Sequence, residues 1–225
     1  TVLEPRAHGV EFAALERAGA LLTGLRCVNE ILAALNVANL FSMRLEIVRG
    51  LSDAGASPLV VSQGGRLVKD VFGNGGIHVA LPVATKNPIR IVMNAIRNIR
   101  LIPNKHFALI HARSRAPAFS AWMAARWCGI PFVTTFHGTY NFKTRFKKWI
   151  NSVMIRSDAV IANSVFIKDH ILKNYSYCAG DKIHVIPRGV NLSVFCKENF
   201  APKDKEDQHA TWGIDDTRPI FLLPA

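Results

Sequence analysis

The sequence predicts an α/β fold in which a Rossmann-like parallel sheet carries helices on both faces. Short apolar and β-branched runs alternate with longer segments of helical periodicity from about residue 31 to residue 186. This regular alternation indicates parallel strands joined by helical crossovers. The runs are apolar along most of their length, as expected of strands that are buried on both faces. Hydrophobic residues make up 49% of the chain and charged residues 20%, which supports a normal core and excludes a disordered chain.

The first half of the sheet region contains three predicted strands, at residues 31–35, 57–62 and 77–81. The helix at 43–54 is predicted from Leu45, Val48 and Leu51, which recur at helical spacing, and from Gly55 as its stop. A second helix, 66–72, ends at the glycine-rich turn 73–76. A third, 88–102, has proline in its first turn and places three arginines on one face.

The second half contains four predicted strands, at residues 107–111, 131–135, 159–162 and 183–186. The helices between them cover 117–128, which Gly129 ends, then 143–156, which is basic and amphipathic, and 165–175. Pro131 opens the central strand, whose apolar and β-branched residues are typical of a strand buried on both faces. The rhythm ends at Pro187.

Three regions are expected along the chain. Residues 1–29 form a divergent N-terminal segment, and residues 30–197 form the Rossmann-like domain. Residues 198–225 combine a polar, lysine-rich linker with an apolar run, 218–224, that is expected to be the first strand of a missing C-terminal domain. No run is long and apolar enough for a membrane span, no signal peptide is apparent, and the four scattered cysteines fit a reducing compartment. A cytoplasmic location is therefore expected.

The charge of the chain favours an anionic partner. Lys and Arg number 28 against 16 Asp and Glu, a net charge of +12. Nucleic acid, acidic lipid and phosphate-bearing substrates all fit this surplus, as does a basic surface with no specific partner. The eight histidines and four cysteines show no metal-ligand spacing, so no metal is expected. The sequence also lacks GxGxxG after the first strand, a Walker lysine loop, HExxH and GxSxG.

Candidate site residues follow the predicted strands, because the C-terminal ends of parallel strands meet at one edge of the sheet. His137 follows the central strand and is a candidate to contact a ligand. The alternative is a purely structural role, in which its ring only caps the strand. Gly138 tolerates a close backbone approach to a ligand. Arg113 and Arg115 stand at a helix N-terminus, which suits an anion, or else form a solvated helix start. The full set is His137, Gly138, Thr139, Arg113, Ser114, Arg115, Asn163, Ser164, Arg188 and Gly189. Taken alone, Ser164 is more simply a helix cap.

Four motifs together resemble a known family. HARSRAP (111–117), PFVTTFHGTY (131–140), DAVIANS (158–164) and VIPRGVN (185–191) stand in the order found in the N-terminal domain of GT-B glycosyltransferases, more narrowly the retaining glycosyltransferase family four. The resemblance runs from about residue 45 to the end. It implies one half of a GT-B fold, a nucleotide-sugar donor, no cofactor, no obligatory metal, and a glycan or lipid-linked acceptor of the lipopolysaccharide or cell-surface type. It also implies that His137 contacts the transferred sugar, that Arg113 and Arg115 line the acceptor side, and that Arg188 lies near the domain crossover.

Two departures from this family predict that the chain alone is inactive. Residues 37–44 read VANLFSMR, where the family carries a Gly-Gly loop that approaches the donor phosphates, and bulkier residues obstruct that approach. The donor-binding domain is also absent. Two other functions stay open: a non-catalytic Rossmann-like module that binds a glycan or lipid, and a nucleic-acid-binding protein, for which the charge is the only support.

The helix that begins near residue 143 predicts peripheral association with an anionic membrane, on the inner face of the cytoplasmic membrane. Basic and large apolar side chains alternate along it, as in helices that lie in a membrane interface. The alternative is a helix packed on the sheet with a solvated basic face. The residues concerned are Lys143, Arg145, Lys147 and Lys148, with Phe142, Phe146, Trp149 and Ile150.

Overall fold

The computed structural model describes residues 32–36, 42–102, 107–140, 142, 144–188 and 201–213. In this part of the chain, seven strands form one sheet with the order β3-β2-β1-β4-β5-β6-β7, and every neighbouring pair is parallel. The strands are β1 Leu32–Asn36, β2 Leu59–Ser62, β3 Ile77–Ala80, β4 Phe107–Ala112, β5 Phe132–Phe136, β6 Ala159–Ala162 and β7 Ile183–Val185. The predicted parallel sheet is confirmed.

Helices connect the strands in regular alternation. They are α1 Ser42–Asp53, α2 Val68–Gly73, α3 Pro88–Leu101, α4 Arg115–Cys128, α5 Arg145–Asn151, α6 Val165–Asn174 and α7 Pro202–Trp212, with short 3₁₀ turns at Ser152–Ile155 and Gly180–Lys182. The chain moves from β1 towards β3 and then from β4 towards β7, so its direction reverses between β1 and β4. Because parallel crossovers are right-handed, α1 and α2 lie on one face of the sheet and α3 to α6 on the other. Helices on both faces are therefore confirmed as well.

The chain divides into two compact units, residues 1–189 and 190–225. The first contains the sheet and helices α1 to α6, and the second contains α7. The residue after α7, Gly213, has a left-handed backbone. The predicted N-terminal segment 1–29 and the apolar run 218–224 lie outside the described residues, as does Gly189. Of the glycine-free segment 37–44, residues 37–41 lie outside them and residues 42–44 begin α1.

Each face of the sheet has its own hydrophobic core. On the α3–α6 face, Val61, Phe132 and Val160 pack with apolar residues of α4 and α6. On the α1–α2 face, Val60 of β2 and Val133 of β5, which adjoin Val61 and Phe132 in sequence, pack with residues of α1 and α2. Side chains that alternate along a strand point to opposite faces, so β5 is buried on both, and all five of its residues are inaccessible. This is the double burial expected of the central strand.

Polar groups fix the register between β5 and β6. The backbone N–H of Phe132 donates to the Asp158 carboxylate over 2.8 Å, and the N–H of Asp158 donates back to the Phe132 carbonyl over 2.8 Å. Further along, the buried Thr134 hydroxyl lies 2.9 Å from the Ser157 hydroxyl. A buried polar group destabilises the fold unless it forms a hydrogen bond, and each of these groups does. The pairing sets where β5 ends.

The helix predicted at 143–156 is shorter than expected. Thr144 caps the start of α5, its hydroxyl accepting from the N–H of Lys147, and regular helix ends at Asn151. There the Ser152 hydroxyl donates to the Trp149 carbonyl over 2.6 Å, a local bond that competes with the helical ladder. The next four residues form a buried 3₁₀ turn. The buried Tyr175 anchors α5 from the other side by donating from its hydroxyl to the Lys148 carbonyl over 2.9 Å.

Two glycines of neighbouring sequence allow a matched stability test. A Cβ at Gly76 would lie 2.6 Å from Val48 Cγ1 and 2.9 Å from Val71 Cγ1, whereas a Cβ at Gly73 would meet nothing within 4 Å. We expect Gly76→Ala to lower the free energy of unfolding by about 1–3 kcal/mol, because it overpacks the core between α1 and α2. Gly73 is the last residue of α2, so Gly73→Ala should leave the free energy of unfolding unchanged or raise it slightly. Urea unfolding of both variants measures the difference, and equal stabilities would contradict this description of the core.

Candidate functional site

The candidate site lies at the carboxyl edge of the sheet, the edge formed by the C-terminal ends of the strands. Arg113, His137, Asn163 and Arg188 follow the neighbouring strands β4, β5, β6 and β7 in that order. The strands are in register at these ends, with Phe136 opposite Ala162. The structure therefore brings the ends of the four sequence motifs to one edge, as predicted. The contacts below decide which of the residues meet.

The backbone of His137 is held by the two strands beyond it. Asn163 Nδ2 donates to the His137 carbonyl over 3.0 Å, and Arg188 Nη2 donates to the same oxygen over 3.3 Å. Asn163 is half-buried and Arg188 is exposed. Both residues were predicted to bind a ligand, and in the structure each directs a donor at the peptide that carries His137. These two hydrogen bonds fix the position of the His137 backbone. A direct contact with a ligand stays a prediction for both residues.

A second histidine lies beneath this edge. His111, at the end of β4, is 2% exposed, and its Nε2 lies 2.7 Å from the Thr135 hydroxyl on β5. Burial lowers the pKa of His111 well below its ordinary value of 6.5, and the charges of Arg113 and His137 lower it further. His111 is therefore neutral at neutral pH. Within the described part of the chain, its Nδ1 is buried without a hydrogen-bond partner.

Arg113 is buried, in contrast to the solvated helix start that was one interpretation of this segment. Its side chain is 2% exposed, and it is among the largest fully buried side chains in the described residues. Its charge acts on His111, as the lowered pKa of that histidine records. A guanidinium in such surroundings is screened less by solvent than a surface charge. Arg113 thus supplies a fixed positive charge beneath the carboxyl edge.

Arg115 connects three elements at the start of α4. Its Nη1 donates to Asn151 Oδ1 of α5 over 2.8 Å, and its guanidinium lies 4.5 Å from the centroid of the Tyr140 ring. The Tyr140 ring in turn lies 4.7 Å from that of Phe136. Burial raises the pKa of Tyr140 to about 12, against the opposing effect of Arg115. These contacts position the segment that follows His137.

The two serines have different roles. Ser164 Oγ accepts a hydrogen bond from the N–H of Ile167 over 3.3 Å, so the helix-cap interpretation is confirmed. Ser114 occupies the corresponding position before α4, with an extended backbone, but its side chain makes no capping hydrogen bond. The Ser114 hydroxyl therefore does not cap α4, and its predicted role in binding stays a prediction.

The backbone at Gly138 borders open space. A Cβ added there would meet no heavy atom of the described residues within 4 Å, and the residue does not have a left-handed backbone. Among the described residues, neither packing nor backbone conformation requires glycine at this position. Thr139 beside it is exposed. Such a position suits the close approach of a ligand to the main chain, which is the role predicted for Gly138.

A glycine pair on the same edge was overlooked by the sequence analysis, which sought glycines after β1. Gly64 and Gly65 follow β2, with φ of 96° and 134°. The buried Ser62 hydroxyl accepts from the N–H of Gly64 over 3.1 Å and lies 2.8 Å from His78 Nε2 on β3. The available signal was a glycine pair directly after a buried strand. This loop belongs to the same edge as the candidate site, two strands away from β4.

The described residues set two further bounds on the site. Among them, no cluster of three or more His, Cys, Asp or Glu side chains is arranged to hold a metal ion. No helix in the same ranges is both long and apolar enough to cross a membrane.

Comparison with known proteins gives consistent results. The model of Glycosyltransferase Family 4 matches residues 44–194. A glycosyltransferase from Rickettsia africae ESF-5 is 36% identical, with a TM-score of 0.73 over 88% of this chain and 53% of that one. Anabaena Alr3699/HepE, whose crystal structure contains UDP-glucose, is 14% identical with a TM-score of 0.60, covering 83% of this chain and 50% of that one. Alpha-maltose-1-phosphate synthase from Mycolicibacterium smegmatis is 23% identical in an alignment that covers 66% of this chain and 41% of that protein.

The chain spans about half the length, or less, of these relatives. The Anabaena likeness shows the fold alone, because the identity is low. The family match covers more than half of the chain and includes all four motifs, whereas residues 37–43 of the glycine-free segment lie before it. The chain therefore belongs to glycosyltransferase family 4 and has the fold of the N-terminal domain of a GT-B glycosyltransferase.

Proposed function

We propose that this chain is the acceptor-side domain of a glycosyltransferase that moves a sugar from a nucleotide-sugar donor to a glycan or lipid-linked acceptor. The observation that carries the proposal is the convergence of Asn163 and Arg188 on the His137 carbonyl. The nucleotide-sugar class is supported by the Anabaena neighbour, which was solved with UDP-glucose. Retention of configuration and a lipopolysaccharide or cell-surface acceptor belong to the same proposal and rest on the motif resemblance.

The support for His137 is mechanical. Its carbonyl accepts hydrogen bonds from residues that follow the next two strands of the sheet, β6 and β7, and these bonds hold its backbone in place. A group fixed in this way can contact the sugar as charge develops, without an energetic cost of reorganisation. His137 is half-buried, which leaves part of its ring accessible at the edge. In this proposal it contacts the transferred sugar.

The support for an anionic substrate is electrostatic. Arg113 places a buried positive charge beneath the carboxyl edge, and His111, neutral beside it, adds no second charge. Positive charge near the departing phosphate of a nucleotide sugar stabilises the transition state. We propose that these basic groups, and those of a second domain, perform this role without a metal or other cofactor.

A second domain is part of the proposal. GT-B active sites lie between two Rossmann-like domains, and this chain spans 53% of the Rickettsia protein. Residues 1–225 by themselves are therefore expected to give no sugar transfer, because the donor is not held at reacting distance from the acceptor. A glycan-binding module without turnover is the other function that the open edge at Gly138 supports.

A cytoplasmic location, peripheral on the inner face of the cytoplasmic membrane, is the remaining part. On α5, Phe146 is 68% exposed and Trp149 is 55% exposed, and the adjoining Lys147 and Lys148 are exposed as well. Exposed aromatic rings beside basic side chains are typical of interfacial helices. This favours membrane contact over the alternative of a helix that only packs on the sheet.

The role of His137 can be tested in a chimaera. Residues 1–189, with a Gly-Gly loop restored in 37–44, are joined to the remaining half of the Rickettsia glycosyltransferase and assayed with a panel of nucleotide sugars that includes UDP-glucose. We expect His137→Ala to lower turnover by about 10²-fold or more, the scale of losing one transition-state contact.

His184→Ala is the matched control, since His184 is a half-buried histidine within the edge strand β7. The unmodified chain of 225 residues is assayed in parallel. An active chimaera that tolerates His137→Ala would disprove the catalytic role, and product from the unmodified chain would disprove the need for a second domain. An inactive chimaera that still binds glycans would favour the binding module.

The open backbone at Gly138 gives a second test in the same chimaera. We expect Gly138→Ala to leave the thermal unfolding temperature unchanged, because the added Cβ meets nothing within 4 Å. Turnover should fall, since the methyl group occupies space that a sugar approaches. If turnover is unchanged while the variant remains folded, the ligand does not approach this peptide.

The membrane contact through α5 is tested by flotation with anionic vesicles at low salt. We expect binding to fall when Lys147 and Lys148 are both replaced by Glu, because the charges then repel the lipid. Lys168→Glu/Lys173→Glu, on α6, makes the same change in net charge and is the control. Equal binding by the two double variants would attribute the effect to net charge and refute a specific contact through α5.

A further inference from the structure

Helix α3 exposes its apolar side. Ile89 is 71% exposed, and the other three residues of the same side are 44–45% exposed. Their spacing of three and four residues places them in one row along the helix. This row, named here the α3 stripe, consists of Ile89, Val92, Met93 and Ile96.

The opposite side of α3 is buried, and two of its three buried residues are polar, Asn94 and Asn98 beside Ala95. Asn94 is 1% exposed, and its Nδ2 donates to the Pro82 carbonyl over 2.8 Å. Asn98 is 5% exposed and lines a small cavity with Leu59 of β2 and Ile110 of β4. A surface helix ordinarily buries its apolar side and exposes its polar one. In α3 the arrangement is partly inverted, because four large apolar side chains are exposed while two asparagines are buried. Packing within the described residues therefore does not account for the stripe.

The α3 stripe faces outward from the helical layer. Asn98 faces the sheet, and the stripe lies on the other side of the helix. Helix α4 lies next to α3, and the α4 residue Phe119 contacts Trp149 of α5 at 6.3 Å between ring centroids. The exposed rings of Phe146 and Trp149 therefore belong to the same layer. Helices α3 to α5 form one continuous outer surface.

The charge of this surface has a single sign. No Asp or Glu occurs between Asp70 and Asp158, a stretch that contains thirteen Lys and Arg residues. Arg90 and Arg100 of α3 are exposed beside the stripe. Two copies of the chain that met through this face would bring like charges together, which is unfavourable. An anionic lipid surface supplies both the apolar phase and the opposite charge.

We propose that the α3 stripe inserts into the interface of an anionic membrane. The apolar row enters the boundary between headgroups and acyl chains, while the flanking arginines extend to the phosphates. The helix lies along the membrane and does not cross it. The inference shares its partner with the proposed contact through α5, but it rests on the partly inverted packing of α3 and does not depend on sugar transfer.

The test is flotation of the 225-residue chain with vesicles of phosphatidylglycerol and phosphatidylethanolamine, compared with phosphatidylcholine alone. We expect Ile89→Ser/Ile96→Ser to lower the partition coefficient by about tenfold or more, because two large apolar side chains no longer leave water. Phe72→Ser is the control. Phe72 is 56% exposed but lies on α2, on the other face of the sheet, and its loss should leave binding unchanged.

Circular dichroism on melting establishes that each variant is folded, and Met93→Ser is a milder substitution should the double variant unfold. The inference is overturned by no binding of the unaltered chain, by equal binding of the stripe variant, or by equal loss in Phe72→Ser. A stripe variant that changes from dimer to monomer in light scattering, with vesicle binding unchanged, overturns it in favour of a second copy. Loss of binding only in Lys147→Glu/Lys148→Glu also overturns it and leaves the α5 contact standing.

Discussion

Strand β5 is fixed at both ends by polar groups from its neighbours, and the position of the candidate site depends on this. At the start, the Phe132 N–H donates to the Asp158 carboxylate, and the Asp158 backbone N–H donates to the Phe132 carbonyl. Beyond the end, Asn163 and Arg188 both donate to the His137 carbonyl. A slip of one residue would turn every side chain of β5 to the other face and break both sets of bonds. The register of one buried strand thus places the histidine.

The same edge has one charged and one neutral basic side chain beneath it. Arg113 and His111 are both buried, yet only the arginine carries charge at neutral pH, because burial and its neighbours lower the pKa of His111. Two buried positive charges side by side would destabilise the fold. The neutral His111 instead forms a hydrogen bond with Thr135, so that of these two residues only Arg113 contributes positive charge at the edge. Stability and the proposed electrostatic role are therefore compatible.

The sequence was sufficient for the sheet and for the strand ends that the candidate residues follow, but less so for the contacts of those residues. Alternation of apolar and helical segments predicts strands, and strand order then collects residues after β4 to β7 at one edge. Contacts such as His111 with Thr135, or Arg115 with Asn151, join residues 24 and 36 positions apart and depend on exact register, which local patterns do not contain. Periodicity also identified α3 as amphipathic but not its orientation. The usual assumption buries the large apolar residues, whereas here Asn94 and Asn98 are buried beside Ala95 and the row from Ile89 to Ile96 is exposed.

The stretch without carboxylates from residue 71 to residue 157 makes the charge of the helical layer insensitive to acidity. Helices α3, α4 and α5 contain no Asp, Glu or His, the residue types whose charge ordinarily changes between acidic and neutral pH. The composition of these helices therefore provides no means for acidity to tune their charge. Ionic strength and the lipid composition of the partner surface remain as the variables that set the strength of attraction.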